Sequence, residues 1–396
     1  MLEIGAVILG SKNHLDFDEY ETDASNVEFQ DRSHSYFHHS LFHADGASRI
    51  AITGFGKIDM QSAWEDLDFH EFGGKSGVRW CRGCKAIAFK ECTDVTIRDI
   101  SIRCVTDLAV YVAGCENVII SGLDIFSHVD GISPDSCKNV VISDCIVDTG
   151  DDAIVPKSSY TLGRFKSMEN LTITGCTVRS SASAIKFGTE SNTAFINITV
   201  TGCTIYDTGI EGISLISTDG ALIQGVSLSN ITMRNVAVPI MILLGNRARA
   251  PKGTEIGKIQ NVAISNVIIT GPYPDTFLQT MAQNSRDYYA NNMTKNPVRL
   301  PIIINGQPDS RIKNVSLSNI QYVAPGGGTL ADRENEMNNV REDYPMAPSF
   351  AKVAPVYGLF ARNVDNLRLY NVDFSCEKED LRDAILLDGV TGFKQV

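Results

Sequence analysis

Apolar residues recur along most of the chain in a fixed pattern that can be counted from a polar or glycine marker. With this marker at position 0, apolar side chains fall at positions +1 and +3 and again at +6 and +8. The markers are Asp94, Asn117, Asn139, Asn170, Asn197, Gly225, Asn261, Asn314 and Asn366. Two alternating apolar pairs separated by a break predict two short strands with a bend between them.

The length of this repeat predicts the architecture. Successive markers lie about 22 to 31 residues apart between Asn117 and Gly225, which is short of the roughly 40 residues that a propeller blade needs. Each coil of a parallel β-helix can instead bury its apolar positions against the coils above and below it. We therefore expect positions +1, +3, +6 and +8 to be buried. Cys145, Cys176 and Cys203 share position +6, so we expect them to form one stack.

The chain as a whole predicts one β-helical domain over residues 1–396, because no Pro/Ser-rich linker interrupts it and solenoids lengthen without splitting. Met1–Ser11 is already strand-like and carries no signal peptide, and the chain stops soon after what resembles the start of another coil. We therefore expect a longer parent protein. No apolar stretch of about 18 residues predicts a membrane span. The net charge of −12 argues against nucleic acid as a partner, and the oligomeric state stays open.

Carboxylates recur at one position of the repeat. Asp130 and Asp152 both lie at +13 in successive coils, and Asp151 immediately precedes Asp152. The same column contains Asp107, Ser183 and, within one residue, Glu211. Stacked carboxylates repel one another and serve no packing purpose, whereas hydrolysis of a glycosidic bond uses paired carboxyl groups. The alternative is that each Asp simply caps a solvated strand end.

The segments around these carboxylates resemble the paired motifs of polygalacturonase-type glycoside hydrolases, family 28. Asp130–Ile132 resembles the NTD motif and Gly150–Ser158 resembles the GDD motif. Further similarity, partly to bacterial members, lies in Gly54–Asp59, Pro239–Arg247 and Gly326–Thr329. The resemblance to a divergent member implies an all-β fold, a single-stranded right-handed parallel β-helix (solenoid). It also implies an inverting hydrolase in which Asp151 is the general acid and Asp130 and Asp152 hold and activate the water.

The chain departs from the family pattern where the substrate would be held. His128-Val129 stands in place of Asn-Thr, Ser183 stands in place of the family histidine, and Ser214–Ile216 stands in place of Arg-Ile-Lys. The candidate substrate-binding residues are therefore His128, Lys157, Ser183, Lys186, Glu211 and Arg247. We expect Lys186 to pair internally, with Glu190 or Glu211, so that the reacting sugar is neutral or is bound by its hydroxyls. The alternative is that Lys186 binds a uronate carboxylate.

No metal site and no cofactor are predicted. His34, His38, His39 and His43 are spaced like a metal-binding face, but no acidic residue lies at ligand spacing. Tyr288 and Tyr289, in a long gap between markers, are candidates for stacking on sugar. The family resemblance implies an extracellular or periplasmic location, and the missing signal peptide leaves a cytoplasmic one open.

These observations favour a glycosidase that cleaves pectin-like or related polysaccharide or oligosaccharide. One alternative is a polysaccharide lyase on the same fold, which would need an Arg or Lys base and commonly Ca²⁺. The other is a carbohydrate-binding β-helix without activity, which the missing histidine and arginine favour and the three Asp residues oppose.

Overall fold

The computed structural model describes residues 1–19, 21, 28–62, 83–271 and 300–396, and these residues are almost entirely strand and turn. Tyr288 and Tyr289 lie outside this part of the chain. In chain order the strands are β1 (Val7–Leu9), β2 (Ser40–Asp45), β3 (Ser48–Thr53), β4 (Lys57–Asp59), β5 (Lys85–Lys90), β6 (Thr93–Arg98), β7 (Ser101–Val105), β8 (Val110–Ala113), β9 (Glu116–Ser121), β10 (Asp124–Ser127), β11 (Ile132–Asp135), β12 (Lys138–Ser143), β13 (Ile146–Thr149), β14 (Met168–Thr174), β15 (Thr177–Ser180), β16 (Ile185–Phe187), β17 (Ala194–Thr201), β18 (Thr204–Ser217), β19 (Leu222–Leu244), β20 (Lys258–Thr270), β21 (Ile302–Asn305), β22 (Ile312–Ala324), β23 (Val356–Arg362), β24 (Val364–Cys376), β25 (Asp383–Asp388) and β26 (Lys394–Gln395). Short 3-10 helices cover His14–Asp16, Arg32–His34, Ala331–Glu334 and Ala347–Ser349. Among the described residues, none of the helices is long and apolar enough to cross a membrane.

The strands stack into three faces, and every named strand pair within a face is parallel. On the first face β6, β9, β12, β14 and β17 pair in sequence. On the second face β4, β7, β10, β13 and β15 pair in sequence. The third face begins with β2, β5, β8 and β11 and continues through an isolated bridge at Ile154 to β16 and the end of β18. The predicted right-handed parallel β-helix is therefore confirmed.

The interior follows the repeat. Val95, Val118, Val140, Leu171 and Ile198, all at +1, are hydrogen-bonded neighbours in successive coils and are buried. The same holds for the +3 column. Columns +6 and +8 are buried until the last copy, where Val372 and Phe374 are only partly buried. The predicted register is confirmed.

The cysteine stack has the expected form. Cys145, Cys176 and Cys203 are buried and free. Each thiol donates to the carbonyl oxygen two residues earlier, at 3.2 Å, 3.4 Å and 3.5 Å respectively. The three side chains therefore share one environment and act as small apolar residues with a local hydrogen bond.

The markers have a structural role that the apolar pattern did not predict. The markers all have a positive φ, 56° at Asn117 for example, which Asn and Gly tolerate better than other residues. The Asn117 amide donates to Asp94 Oδ1 at 2.9 Å, the Asn139 amide donates to Asn117 Oδ1 at 3.0 Å, and the series continues through Asn170 and Asn197. We call this series the asparagine ladder. It turns each coil at the same corner and links it to the next.

Candidate active site

The three predicted carboxylates lie at the corner between the second and third faces. Asp130 lies between β10 and β11, and Asp151 and Asp152 lie one coil on, between β13 and the bridge at Ile154. Gly131 N–H donates to the Asp152 carbonyl at 3.1 Å, which fixes the two coils to one another at this corner. A side chain at Gly131 would meet the Ala153 carbonyl oxygen at 2.5 Å, so only glycine allows this close approach.

The predicted column of polar residues is present. Backbone hydrogen bonds connect the coils of Asp107, Asp130, Asp152, Ser183 and Glu211, through Ala109, Gly131, Ala153 and Ala184. Asp107 is occupied elsewhere, because its carboxylate accepts from the Tyr36 hydroxyl and from Leu108 N–H. The carboxylates of this column that remain available to the site therefore come mainly from its middle coils.

The side chains of Asp130, Asp151 and Asp152 converge, because one oxygen of each lies within 4.8 Å of one oxygen of the other two. Asp130 is 6% exposed and Asp152 is 7% exposed, while Asp151 is half-buried. Burial, followed by repulsion from Asp151 and Asp152, raises the pKa of Asp130 well above its usual value. The shift favours a proton on Asp130 at this corner, and a proton held among catalytic carboxyl groups is what acid–base catalysis requires.

The local backbone holds Asp151 and Asp152 in place. The hydroxyls of Thr149 and Ser180 both donate to the Asp151 carbonyl at 2.6 Å. Asp152 N–H donates to Asp151 Oδ1 at 2.9 Å, and Ser183 N–H donates to Asp152 Oδ1 at 3.0 Å. The two carboxylates are therefore positioned from their own coil and from the next.

Lys186 pairs with Asp152, not with Glu190 or Glu211 as expected. Its Nζ lies 2.8 Å from Asp152 Oδ2, and the two side chains are 8% and 9% exposed. Burial alone would lower the pKa of Lys186, but Asp152, Tyr344 and Glu211 together outweigh it and raise that pKa well above its usual value. The prediction that Lys186 pairs with a carboxylate of the protein is therefore confirmed, but the predicted partner is wrong. Lys186 is on β16, one coil beyond Asp152, and stacking determines the contact more than the four-residue spacing to Glu190 does.

Glu190 instead belongs to a second charged network. Its carboxylate lies 2.8 Å from Lys157 Nζ and 2.9 Å from Arg247 Nη2. Arg247 Nε also donates to Asp219 Oδ1 at 3.1 Å. Burial opposes ionisation of Glu190, but Lys157 and Arg247 outweigh it and lower its pKa. Lys157 and Arg247, both predicted to bind substrate, thus have protein carboxylates as partners.

Three further residues have structural partners. Ser183 Oγ donates to Glu211 Oε2 at 2.5 Å, and Ala347 N–H donates to Glu211 Oε1 at 2.7 Å. Burial raises the pKa of Glu211. His128 Nε2 lies 3.1 Å from Ser62 Oγ. A role in substrate binding for Ser183, Glu211 and His128 stays a prediction.

One residue of the site was not predicted there. His34, in the 3-10 helix before β2, brings its Nε2 to 3.8 Å from Asp130 Oδ2, and its side chain is 5% exposed. It was considered only as part of a metal-binding face. It lies outside the repeat and almost a hundred residues before Asp130, so no register could connect the two.

The three carboxylates are also the kind of oxygen ligands that Ca²⁺ or Mg²⁺ prefers. The Lys186 ammonium beside Asp152 already supplies a fixed positive charge there. This charge neutralises part of the cluster and disfavours a second cation at the same oxygens.

Comparison with known proteins identifies the family of this chain. The glycosyl hydrolases family 28 model matches residues 19–323. A probable polygalacturonase of Arabidopsis thaliana is 26% identical over 246 residues, which cover 59% of this chain and 51% of that protein. The chain thus spans about half the length of the curated relatives it matches.

Solved structures share the fold. The family 28 exopolygalacturonase of Yersinia enterocolitica superposes with a TM-score of 0.68 at 16% identity, over 99% of this chain and 68% of that one. The Thermotoga maritima exopolygalacturonase gives 0.64 at 16% identity, over 94% and 79%. Because the family model covers well over half of the sequence, this chain belongs to family 28 of the glycosyl hydrolases.

Proposed function

We propose that this protein hydrolyses glycosidic bonds in a pectin-like polysaccharide or in oligosaccharides derived from it. In this proposal Asp151 protonates the leaving oxygen, and Asp130 and Asp152 hold and activate the attacking water. The reaction inverts the anomeric centre, as family membership implies. Action outside the cytoplasm, in the extracellular space or the periplasm, is part of the same proposal.

The observation that carries the proposal is the cluster of three carboxyl groups whose oxygens lie within 4.8 Å of one another. The raised pKa of Asp130, which burial and then repulsion from Asp151 and Asp152 cause, means that this carboxyl keeps a proton above the pH at which an isolated Asp loses it.

The charge pattern supports a reacting sugar that is neutral or is bound by its hydroxyls. Lys186, Lys157 and Arg247 each have a carboxylate of the protein within 3 Å. A uronate at these cations would have to displace an existing ion pair. Within the described part of the chain, the named candidates for a carboxylate clamp are thus already paired.

The same pairing argues against a polysaccharide lyase. A lyase base must give up its proton near neutral pH, and enzymes achieve this by lowering the pKa of a lysine. The partners of Lys186 and Lys157 instead raise their pKa values, although burial opposes the increase in each case. Both lysines therefore remain cationic and are unsuited to that role.

The test is product analysis on a panel of pectic oligosaccharides, both with free carboxylates and with methyl esters. Hydrolysis gives a new reducing end, whose first-formed anomer is measured by NMR, and inversion gives the anomer opposite to the substrate linkage. A lyase would instead give an unsaturated product absorbing near 235 nm and would be sensitive to chelators. Binding without any product would support the non-catalytic alternative and refute the proposal.

The stereochemical measurement is also needed because of the carboxylate spacing. Inverting enzymes usually separate the acid from the base by about 6.5–9.5 Å to admit water, whereas retaining enzymes use about 5–5.5 Å. The shortest oxygen separations in this cluster are at or below 4.8 Å. Retention of configuration would overturn the assignment of Asp130 and Asp152 to the water.

A further inference from the structure

His34 is a buried histidine beside the carboxylate cluster. It is 4% exposed, and its Nε2 lies 3.8 Å from Asp130 Oδ2. Its ring meets that of Tyr111 edge-to-face, with centroids 5.4 Å apart. Its carbonyl accepts from the Tyr111 hydroxyl at 2.8 Å. Both the backbone and the ring are therefore held in place.

Neither ring nitrogen of His34 has a hydrogen-bond partner among the described residues. Leaving a buried donor or acceptor unpaired is costly, so buried polar groups are nearly always paired in native proteins. Burial, followed by the positive charge of Lys157, lowers the pKa of His34 well below its usual value. The ring is thus a neutral imidazole with one N–H and one lone pair, and neither of them is used by any residue that the structure describes.

The separation from Asp130 is suited to a bridging oxygen atom. At 3.8 Å the two groups are too far apart for a direct hydrogen bond. An oxygen atom about 2.8 Å from His34 Nε2 and about 2.8 Å from Asp130 Oδ2 would hydrogen-bond to both groups, because two such bonds span the distance between these atoms. Water and the hydroxyls of a sugar are the oxygens that this reaction brings to the carboxylates.

We propose that His34 is a positioning residue of the active site, whose Nε2 and the Asp130 carboxyl together hold the attacking water. This inference rests on the proposed hydrolysis and extends it to a residue outside the family motifs. It gives the unpaired Nε2 a partner during the reaction.

A structural role and a positioning role predict opposite effects on stability. If His34 only supported the fold, removing it would lower the melting temperature. If Nε2 is unpaired until a water binds, then His34→Leu removes two unsatisfied buried nitrogens and should leave the melting temperature unchanged or raise it. His34→Gln keeps a donor and an acceptor close to the position of Nε2.

The experiment compares kcat and KM for wild type, His34→Leu and His34→Gln, with His38→Ala as the matched control. His38 is on the same segment, but its side chain is 38% exposed and interacts with Asp18. We expect His34→Leu to lower kcat about 10- to 100-fold with KM little changed. We expect His34→Gln to recover part of that loss and His38→Ala to match wild type. A kcat within twofold of wild type in His34→Leu, or a loss accompanied by a lower melting temperature, overturns the proposal.

A binding measurement separates this inference from the proposed function. In ¹⁵N-histidine-labelled Asp151→Asn protein, the His34 resonances are identified by their disappearance in His34→Gln. We expect a pectic oligosaccharide that saturates the protein to shift the His34 ring nitrogens, because it orders the bridging water. An inactive wild type would refute the hydrolase, whereas unchanged His34 resonances on saturation would refute the role of His34 alone.

Discussion

The pair formed by Lys186 and Asp152 allows a quantitative prediction. Both side chains are more than nine-tenths buried, and the charged atoms are 2.8 Å apart. Lys186→Met keeps most of the packing of the aliphatic chain and removes the charge. Removing one partner of a buried ion pair typically costs about 3–5 kcal/mol, because the other charge stays buried without compensation.

Protonation sets an upper limit to that cost. An aspartic acid in an unfolded chain has a pKa of about 3.9, so burying any Asp in its neutral form at pH 7 costs about 4 kcal/mol. Because protonation is always available to the variant, we expect Lys186→Met to lower the free energy of unfolding by about 3–4 kcal/mol at pH 7. At pH 4 protonation costs almost nothing, and the loss should fall below about 1 kcal/mol. In the wild type the stabilising contribution of Lys186 is fully present below its unfolded pKa of about 10.4 and is lost only as pH rises through its raised folded pKa.

The assay is urea unfolding at pH 7 and pH 4, with Lys138→Met as the control. Lys138 forms a half-exposed pair with Glu169 at 3.8 Å, and such pairs contribute about 0–1 kcal/mol. Lys186→Met should also lose activity equally on neutral and uronate-bearing oligosaccharides, because it disturbs Asp152 and not a substrate carboxylate. Unchanged stability at pH 7 together with a selective loss on uronate substrates would refute the reasoning and restore Lys186 as a carboxylate clamp.

Three further predictions concern the carboxylates and the coil corners. Asp151→Asn should reduce kcat by about 10²–10⁴-fold with an unchanged circular dichroism spectrum, and normal turnover would remove Asp151 as the general acid. The raised pKa of Asp130 means that its contribution to stability is full below about pH 3.9 and declines as pH rises. Asp130→Asn should therefore be more stable than wild type at pH 7 in urea unfolding and equal to it at pH 3, and a less stable variant at pH 7 would contradict the cause of that shift. Gly225 interrupts the asparagine ladder with a φ of 67° and open space around it, with Asn197 N as the nearest atom at 3.6 Å. Gly225→Asn should raise stability by about 1 kcal/mol, whereas Gly225→Ala, which adds strain and no ladder bond, should not, and equal effects would mean that the ladder contributes nothing.

The interior of this protein could be predicted from its sequence because each buried position repeats in every coil. Val140 and Ile142, for example, have counterparts one coil away in both directions, so a single register positions all of them. The same register brought Asp130 and Asp152 together. The register could not predict the contacts of side chains that reach between coils or that belong to segments outside the repeat. Lys186 is assigned to its column correctly, yet its long side chain can reach several carboxylates, and burial and stacking decide between them. His34 belongs to no column, and only the folded structure brings it to the cluster.

The coil-to-coil hydrogen bond from Gly131 to the Asp152 carbonyl has a consequence for how this protein can change over evolution. The reacting geometry is inherited from the spacing of two neighbouring coils, and in a solenoid each coil contacts only its neighbours. Whole coils can therefore be gained or lost elsewhere, lengthening or shortening the surface available to a polymer, while the distance between the carboxylates stays the same. A single residue inserted within a strand between Asp130 and Asp152 would have the opposite effect, because it would shift the strand register and one carboxylate with it, while the number of coils stayed the same. In this architecture the length of the surface that contacts a polymer and the geometry of the cleavage site can thus change independently of one another.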